Sequence, residues 1–429
     1  VIRLGYNLLL LLAVPFGVLH LLIRGLLKDR GYWRDLGQRF GFGARARRPT
    51  LWVHAVSFGE MQAAAPLVMA LRQRYPQYGL LLTTFTPTGR ARARTLFGEA
   101  VDVRYAPFDL PGAVERFLDR AQPRLAVIME TELWPNLFAA CGRRGIPLLL
   151  ASARMSPDSI GRYRRLVPLF REALARGIVI GAQSSADAGR FIAIGAPPER
   201  THVTGNAKFD FDPGPDAGAR ARRFREQYAP DRPVWIAGST HEGEEAVVLD
   251  AHARLLEHVP GALLVLVPRH PPRFARVAAL LSRRRVRFVT RSSGSIPDAG
   301  CPVVLADTLG ELTMLYGGAD VAFVGGSLVP VGGHNLLEPA AMSVPIVTGP
   351  HNFHGAEIFR LFVAAGAACV VTDALTLAEE VARRLTDAGL RRRAGAAGIE
   401  VVEANRGAVR ALAALVEPLL SDAGGPRKP

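Results

Sequence analysis

Past Thr50 the chain alternates short apolar runs with longer amphipathic segments, and the alternation itself predicts the architecture. Strands are expected at Leu51–Val53, Gly79–Thr83, Val101–Tyr105, Leu125–Met129, Pro147–Ala151, Ile178–Ile180 and His202–Thr204, with helices starting near Glu60, Thr88 and Pro111. Gly205–Arg232 breaks the rhythm; it is rich in turn formers and charge and reads as an interdomain linker. The alternation then resumes at Val234–Gly238, Ala262–Val267, Val286–Thr290, Val303–Leu305, Val321–Val324, Ile346–Val347 and Cys369–Val371. Strands alternating with helices give a parallel, doubly wound sheet, so the chain reads as α/β, two Rossmann-like units facing a cleft between their carboxyl-end loops. No short-period repeat is present, and the final Gly424–Pro429 tail reads as frayed.

One stretch departs from the pattern. Leu4–Ile23 carries no formal charge and has about the length that crosses a bilayer. Asn7, Pro15 and His20 interrupt it, which leaves a tilted or partly interfacial helix open beside a spanning one. No small-x-small site follows, which argues against a cleaved signal peptide. Arg24, Lys28, Arg30, Arg34, Arg39, Arg45, Arg47 and Arg48 follow instead, opposed only by Asp29 and Asp35. Such a flank marks the cytoplasmic side and attracts anionic headgroups.

Composition narrows the partners. The net charge of +15 over 429 residues calls for an anionic partner: nucleic acid, acidic lipid or a phosphorylated substrate. Basic residues interspersed with α/β segments, and no aromatic RNA-binding motif, disfavour nucleic acid. Cys141, Cys301 and Cys369 are scattered and odd in number, which fits reduced thiols in a cytosolic compartment.

The chemistry-bearing residues cluster after strands, where open α/β sheets bind ligands. Leu51–Pro66 reads as strand, tight turn at Ser57-Phe58-Gly59 and helix, with Glu60 in the first helical turn; on spacing alone Glu60 is a favourable helix-end charge. In the second unit, Gly238–Glu245, Pro268–His270, Gly325–Ser327 and Gly332–Pro339 stand at strand ends. Glycine amides and helix N-termini suit a phosphate, and Arg269 adds a fixed charge. Neither GxGxxG with its following acid nor GxxxxGK[ST] occurs, which disfavours nicotinamide cofactors and P-loop chemistry.

In order and spacing, HAVSFGE (His54–Glu60), TPTG (Thr86–Gly89), METELWPN (Met129–Asn136), GNAKFD (Gly205–Asp210), GSTHEGEE (Gly238–Glu245), PRH (Pro268–His270) and GGHNLLEP (Gly332–Pro339) closely resemble the bacterial Kdo transferases, almost end to end. These enzymes move 3-deoxy-manno-octulosonic acid (Kdo) from CMP-Kdo to the lipid A precursor. Leu336 stands where the family often has proline, and Ser152 where it often has asparagine. The resemblance implies a GT-B fold with an N-terminal membrane anchor (1–23), an acceptor domain (24–205), a linker (206–232) and a donor domain (233–429) whose final helix is free to pack back on the first. It places the catalytic domains on the cytoplasmic face of the inner membrane. It implies Glu60 as general base, with Ser57, Gly59, Thr86 and Glu132 on the acceptor side. Ser239, Thr240, Arg269, His270, Gly326, Gly332, Gly333, Asn335 and Glu338 fall to the CMP-Kdo donor.

The donor's anomeric C2 is joined to a phosphate, so transfer needs hydrogen-bond donors at the departing phosphate and a base for the incoming hydroxyl. A base opposite the leaving group predicts inversion. Glu338, expected one turn into its helix, suits the ribose hydroxyls, and Glu132 either positions the acceptor or caps a helix. No cofactor or metal is expected: Asp210-Phe211-Asp212 lies in the linker, and His351 and His354 read as loop packing. Another envelope enzyme of two Rossmann units, such as a lipid A disaccharide synthase-like transferase or an epimerase, and a non-enzymatic basic membrane-surface protein remain open beside this reading.

Overall fold

The computed structural model describes residues 2–27, 29–156 and 177–422, with 161, 167 and 174 between them; the Gly424–Pro429 tail lies outside the described residues. The chain divides into two compact units, Val1–Asp210 with Asn405–Pro429, and Phe211–Ala404.

The first unit is built on seven strands: β1 Thr50–His54, β2 Gly79–Thr84, β3 Asp102–Tyr105, β4 Pro123–Met129, β5 Leu148–Ala153, β6 Ile178–Ala182 and β7 Thr201–Val203. They pair in parallel in the order β3-β2-β1-β4-β5-β6-β7. The inner strands β1, β2, β4, β5 and β6 are buried almost throughout, so each reads as an apolar run, whereas the edge strand β7 is largely exposed. Alternate residues serve opposite faces: Leu51, Val53, Leu80, Leu82 and Val127 enter one core, and Trp52, Leu81, Ala126 and Ile128 enter the other.

The second unit repeats the plan with β8 Val234–Thr240, β9 Leu263–Pro268, β10 Phe288–Thr290, β11 Val303–Leu305, β12 Val321–Val324, β13 Ile346–Thr348 and β14 Ala368–Val370. Their order is β10-β11-β9-β8-β12-β13-β14, again parallel. In each sheet the first strand of the unit lies between its successor and a later strand. β1 and β8 therefore mark the topological switch points, where such sheets hold ligands.

Three expectations change. The segment read as linker contains a helix, Ala217–Tyr228, with Ala217, Ala221, Phe224 and Tyr228 buried at helical spacing. It packs on the Leu312–Gly317 helix of the second unit. Arg39, grouped with the headgroup-facing arginines, is buried: its Nη2 donates to Phe85 O at 2.8 Å and its guanidinium lies 4.3 Å from the Tyr105 ring centroid. Burial pulls its pKa down to about 10. Finally, Gly59 is not a turn residue; Ser57 is the N-cap and the helix runs Phe58–Arg74.

The helix Ala408–Asp422 belongs to the first unit, where Leu412, Val416 and Leu419 join Leu67, Val68 and Leu71 in one core. Its start is capped from a distant part of the chain. Asp210 Oδ1 accepts Gly407 N–H at 2.7 Å, and Oδ2 accepts Val409 N–H at 2.6 Å. Asp212 Oδ1 accepts Gly214 N–H at 2.8 Å, so both acids of the Asp-Phe-Asp triplet bind backbone amides. Asp210→Ala should cost about 1–2 kcal/mol of stability, the scale of a lost N-cap. It should also speed hydrogen exchange at Gly407 and Val409, and denaturant unfolding with exchange mass spectrometry measures both.

Candidate functional site

In the first unit the site residues stand at the carboxyl ends of β1, β2 and β4. Ser57 caps the helix after β1: its Oγ lies 3.4 Å from Glu60 N and 3.3 Å from Glu60 Oε1. Glu60 Oε2 accepts Val56 N–H at 2.8 Å, so the carboxylate folds back over its own helix start. Burial pushes the Glu60 pKa up to about 7, the Glu130 and Glu132 charges add to the rise, and the Val56 and Ser57 bonds oppose it. A carboxylate titrating near neutrality is suited to take a proton.

Glu130 was not singled out from the sequence. It stands at φ 56 and pairs with Lys208 Nζ at 2.7 Å. Its place in METELWPN and the lysine in GNAKFD were the available signals. Glu132 does not cap a helix; its Oε2 accepts the Trp134 indole N–H at 2.7 Å. Trp134 in turn packs against His54 and Phe85, with ring centroids 5.2 and 5.0 Å away. His54 is buried beside Thr83 Oγ1, and burial holds its pKa down to about 4, so the ring is neutral. Thr86 caps the next helix by accepting Gly89 N–H at 3.0 Å, and Gly89 must be glycine because a Cβ would come within 2.4 Å of Thr84 Oγ1. Gly59 differs: a Cβ there would meet nothing within 4 Å, so the first turn beside Glu60 presents an open surface.

In the second unit the glycine amides are already engaged. Glu244 is buried and accepts four backbone N–H groups: His241 and Gly326 on Oε2, at 2.9 and 2.7 Å, and Ser327 and Leu328 on Oε1, both at 2.9 Å. The Gly332 and Gly333 amides both donate to Gly326 O, at 3.1 and 2.7 Å. The three glycines therefore shape a tight loop and do not offer free donors. At φ 112 and 76, Gly332 and Gly333 also sit where a Cβ would strike His354 and Asn352. Thr240 donates its hydroxyl to buried Glu245, which pairs with Arg273 at 2.8 Å. Ser239, at φ 58, lies where the β8–β9 register shifts.

What remains around this loop is polar and basic. His241 Nε2 and His334 Nε2 lie 2.8 Å apart with the rings stacked, and the His270 ring meets His241 edge-on at 5.3 Å. Burial lowers all three pKa values, and Arg269 lowers each further; His334 falls to about 3. The imidazoles are therefore neutral in a positive field, an environment that favours an arriving anion. Arg269 is half-buried and interacts electrostatically with Glu338. Glu338 is the second residue of the short helix Leu337–Ala341, not one turn in, and accepts from Thr313 Oγ1 at 3.0 Å and Asn335 Nδ2 at 3.3 Å. Among the described residues no three His, Cys, Asp or Glu side chains converge as a metal-ligand set.

A family profile described as "3-Deoxy-D-manno-octulosonic-acid transferase (kdotransferase)" matches residues 34–211. The chain is 42% identical to the 3-deoxy-D-manno-octulosonic acid transferase of Haemophilus influenzae over 97% of its own length and 99% of that protein. The chain belongs to the Kdo transferase family. A second family member, from Bordetella pertussis, is 41% identical over 87% of this chain and 89% of its own. The UDP-GlcNAc 2-epimerase of Neisseria meningitidis bound to UDP-GlcNAc superposes with a TM-score of 0.56 over 87% of this chain and all of that one, at 14% identity. That likeness concerns the fold, the GT-B type of two Rossmann-like units. The two departures differ in local cost. Ser152 stands at φ 52, where asparagine is favoured, and Leu336 at φ −79, close to proline's range.

Glu244 yields a test of the loop. Glu244→Gln would turn an amide NH2 toward backbone donors and leave two of them unpaired. The expected loss is about 1–3 kcal/mol for each unpaired donor. Glu242→Gln, at an exposed neighbour, should leave the urea midpoint unchanged.

Proposed function

We propose that this Kdo transferase moves Kdo from CMP-Kdo to the lipid A precursor by metal-independent, inverting transfer, on the cytoplasmic face of the inner membrane. The observation that carries the reading is Glu60, held at the β1 switch point with its pKa raised to about 7. The acceptor hydroxyl gives its proton to the Glu60 carboxylate as its oxygen bonds to C2 of Kdo. The bond from C2 to the phosphate oxygen breaks, and CMP leaves with the electron pair. Attack opposite the leaving group turns a β-linked donor into an α-linked product.

Arg269 and the neutral His270 are suited to the charge growing on CMP, and Asn335 and Glu338 to the ribose hydroxyls. Ser239 shapes the donor loop, with Thr240 acting through Glu245, and Gly326, Gly332 and Gly333 setting the backbone path. On the acceptor side Gly59 leaves room beside the base, Ser57 and Thr86 fix the two helix starts, and Glu132 holds Trp134. The N-terminal helix is long and apolar enough to cross a membrane, which supports attachment to the membrane that holds the lipid acceptor.

The deciding assay incubates the protein with CMP-Kdo generated in situ and a tetraacyl lipid A precursor and weighs the lipid. A product heavier by Kdo is expected. An unchanged lipid, or thermal protection by uridine but not cytidine nucleotides, overturns the reading. Turnover should rise with pH through about 7 as Glu60 ionises, and Glu60→Gln should lower it by roughly 10²–10⁴. Stability moves the other way. A carboxyl whose folded pKa lies above its unfolded value of 4.5 gives its full contribution below that pH and loses it as pH rises through about 7. Glu60→Gln should therefore gain on wild type in melting temperature above pH 7. A variant retaining more than about a tenth of wild-type turnover would leave Glu60 as a helix-end charge only. Arg269→Ala should weaken CMP-Kdo binding by about 1.5–3 kcal/mol, the scale of a charge-assisted contact, as read by calorimetry. Unchanged affinity would move the phosphate elsewhere.

A further inference from the structure

The N-terminal helix, Ile2–Leu27, is tied to the first unit at both ends. Near its start, Tyr6 OH donates to Asp109 Oδ2 at 2.8 Å, Asn136 Nδ2 donates to Asn7 Oδ1 at 2.7 Å, and Arg3 Nε donates to Asn136 Oδ1 at 3.3 Å. Near its end, Gly25 is buried so closely under Trp33 that a Cβ would meet the indole at 3.1 Å. The turn that follows is pinned to β3 by Tyr105 OH, which donates to Gly31 O at 2.7 Å. Both anchor points lie at the carboxyl edge of the same sheet, the first in the loops after β3 and β4 and the second at the last residue of β3.

Between the ties, Leu10, Val14 and Leu21 are half-buried in one stripe along the helix, and Gly17, on the same stripe, leaves room where a Cβ would meet nothing within 4 Å. The opposite side is exposed throughout, with Leu4 at 76% and Phe16 at 74%, and Leu8, Leu12, Leu19 and Leu26 between and beyond them. A helix crossing the bilayer would carry Tyr6 and Gly25 to opposite sides of a hydrocarbon layer about 30 Å thick. Every tie at one end would then break, and Asp109 would lose the Tyr6 hydroxyl.

We infer that this helix lies in the membrane plane, one face on the first unit and the other in the outer part of a single leaflet of an anionic phospholipid bilayer. Exposed Arg30 and Arg34, beside its carboxyl end, reach the headgroups. The helix then attaches the protein without spanning, at the sheet edge that carries Thr86 and Trp134. This inference does not rest on the transfer reaction.

Nitroxide scanning tests it on the full-length chain, with Cys369→Ser as background because Cys141 and Cys301 are buried. Labels at Leu4, Leu12, Leu19 and Leu26, all exposed positions, are read in phosphatidylethanolamine–phosphatidylglycerol vesicles for contact with oxygen and with a water-soluble nickel complex. The expected result is one shared shallow depth at all four. Extending the scan should give an oscillation of about 3.6 residues with minima at Leu10, Val14, Gly17 and Leu21. A single deep maximum near the helix centre, with Leu4 and Leu26 both in water, means a spanning helix and overturns the inference. So does concentration-dependent spin broadening without oxygen contact, which would mean that a second copy covers the face.

Discussion

Parallel strands end in loops whose backbone N–H groups are too buried to be left to water, and in this chain carboxylates satisfy them. Asp109 accepts Asn136 and Leu137 N–H, Asp187 accepts Met155 N–H, Asp320 accepts Val234 N–H, and Asp210 caps the final helix. An unpaired buried donor costs about 1–3 kcal/mol, so each such acid holds a loop in one path. Glu60 and Glu244 do the same work at equivalent places, the first turn of the helix after β1 and after β8. Their surroundings then separate them. Glu244 meets four amides, whereas Glu60 meets one amide and one hydroxyl and shares its environment with Glu130 and Glu132. The same residue type at the same topological position thus becomes a brace in one unit and a titratable group in the other.

The brace changes how the second unit can hold an anion. The Gly326, Gly332 and Gly333 amides are consumed inside the protein, so these three do not form a phosphate nest. What stands near this loop is a set of side chains on a fixed frame, Arg269 and the neutral histidines around it. Neutral imidazoles near a guanidinium add hydrogen-bonding capacity without adding repulsion; burial depresses them first, and the positive field that lowers them further is the one an anion would relieve.

The central strands were legible because burial on both faces writes each as an apolar run. What escaped reading was encoded in partners and not in local pattern. The Ala217–Tyr228 helix keeps its inward stripe at Ala217, Ala221, Phe224 and Tyr228, but arginines at 220, 222, 223 and 225 mask it as charged linker. Arg39 sits among exposed arginines in sequence, yet the aromatic rings of Phe85 and Tyr105 bury it. Glycine at a strand end signals tight geometry, and sequence does not reveal whether the freed amide faces a ligand or a neighbouring carboxylate. Glu60 itself was legible as a first-turn acid. Its raised pKa comes first from burial and then from Glu130 and Glu132, which lie some seventy residues away and are brought near it by β4 pairing with β1.

The β4 loop also connects the candidate base to the N-terminal helix. Asp109 takes the Tyr6 hydroxyl on the same oxygen that accepts Asn136 N–H, so the N-terminal helix and the start of the Pro135–Arg143 helix share one carboxylate. The residue before that helix is Trp134, whose indole fixes Glu132, and the Glu132 charge helps to raise Glu60. A shift at the start of the N-terminal helix would therefore act on the backbone between Glu130 and Asn136. The β4 loop is short, so it has little slack to absorb such a shift. The N-terminal helix therefore borders the same loop as two of the three carboxylates, while the β1–β4 pairing holds that loop near Glu60.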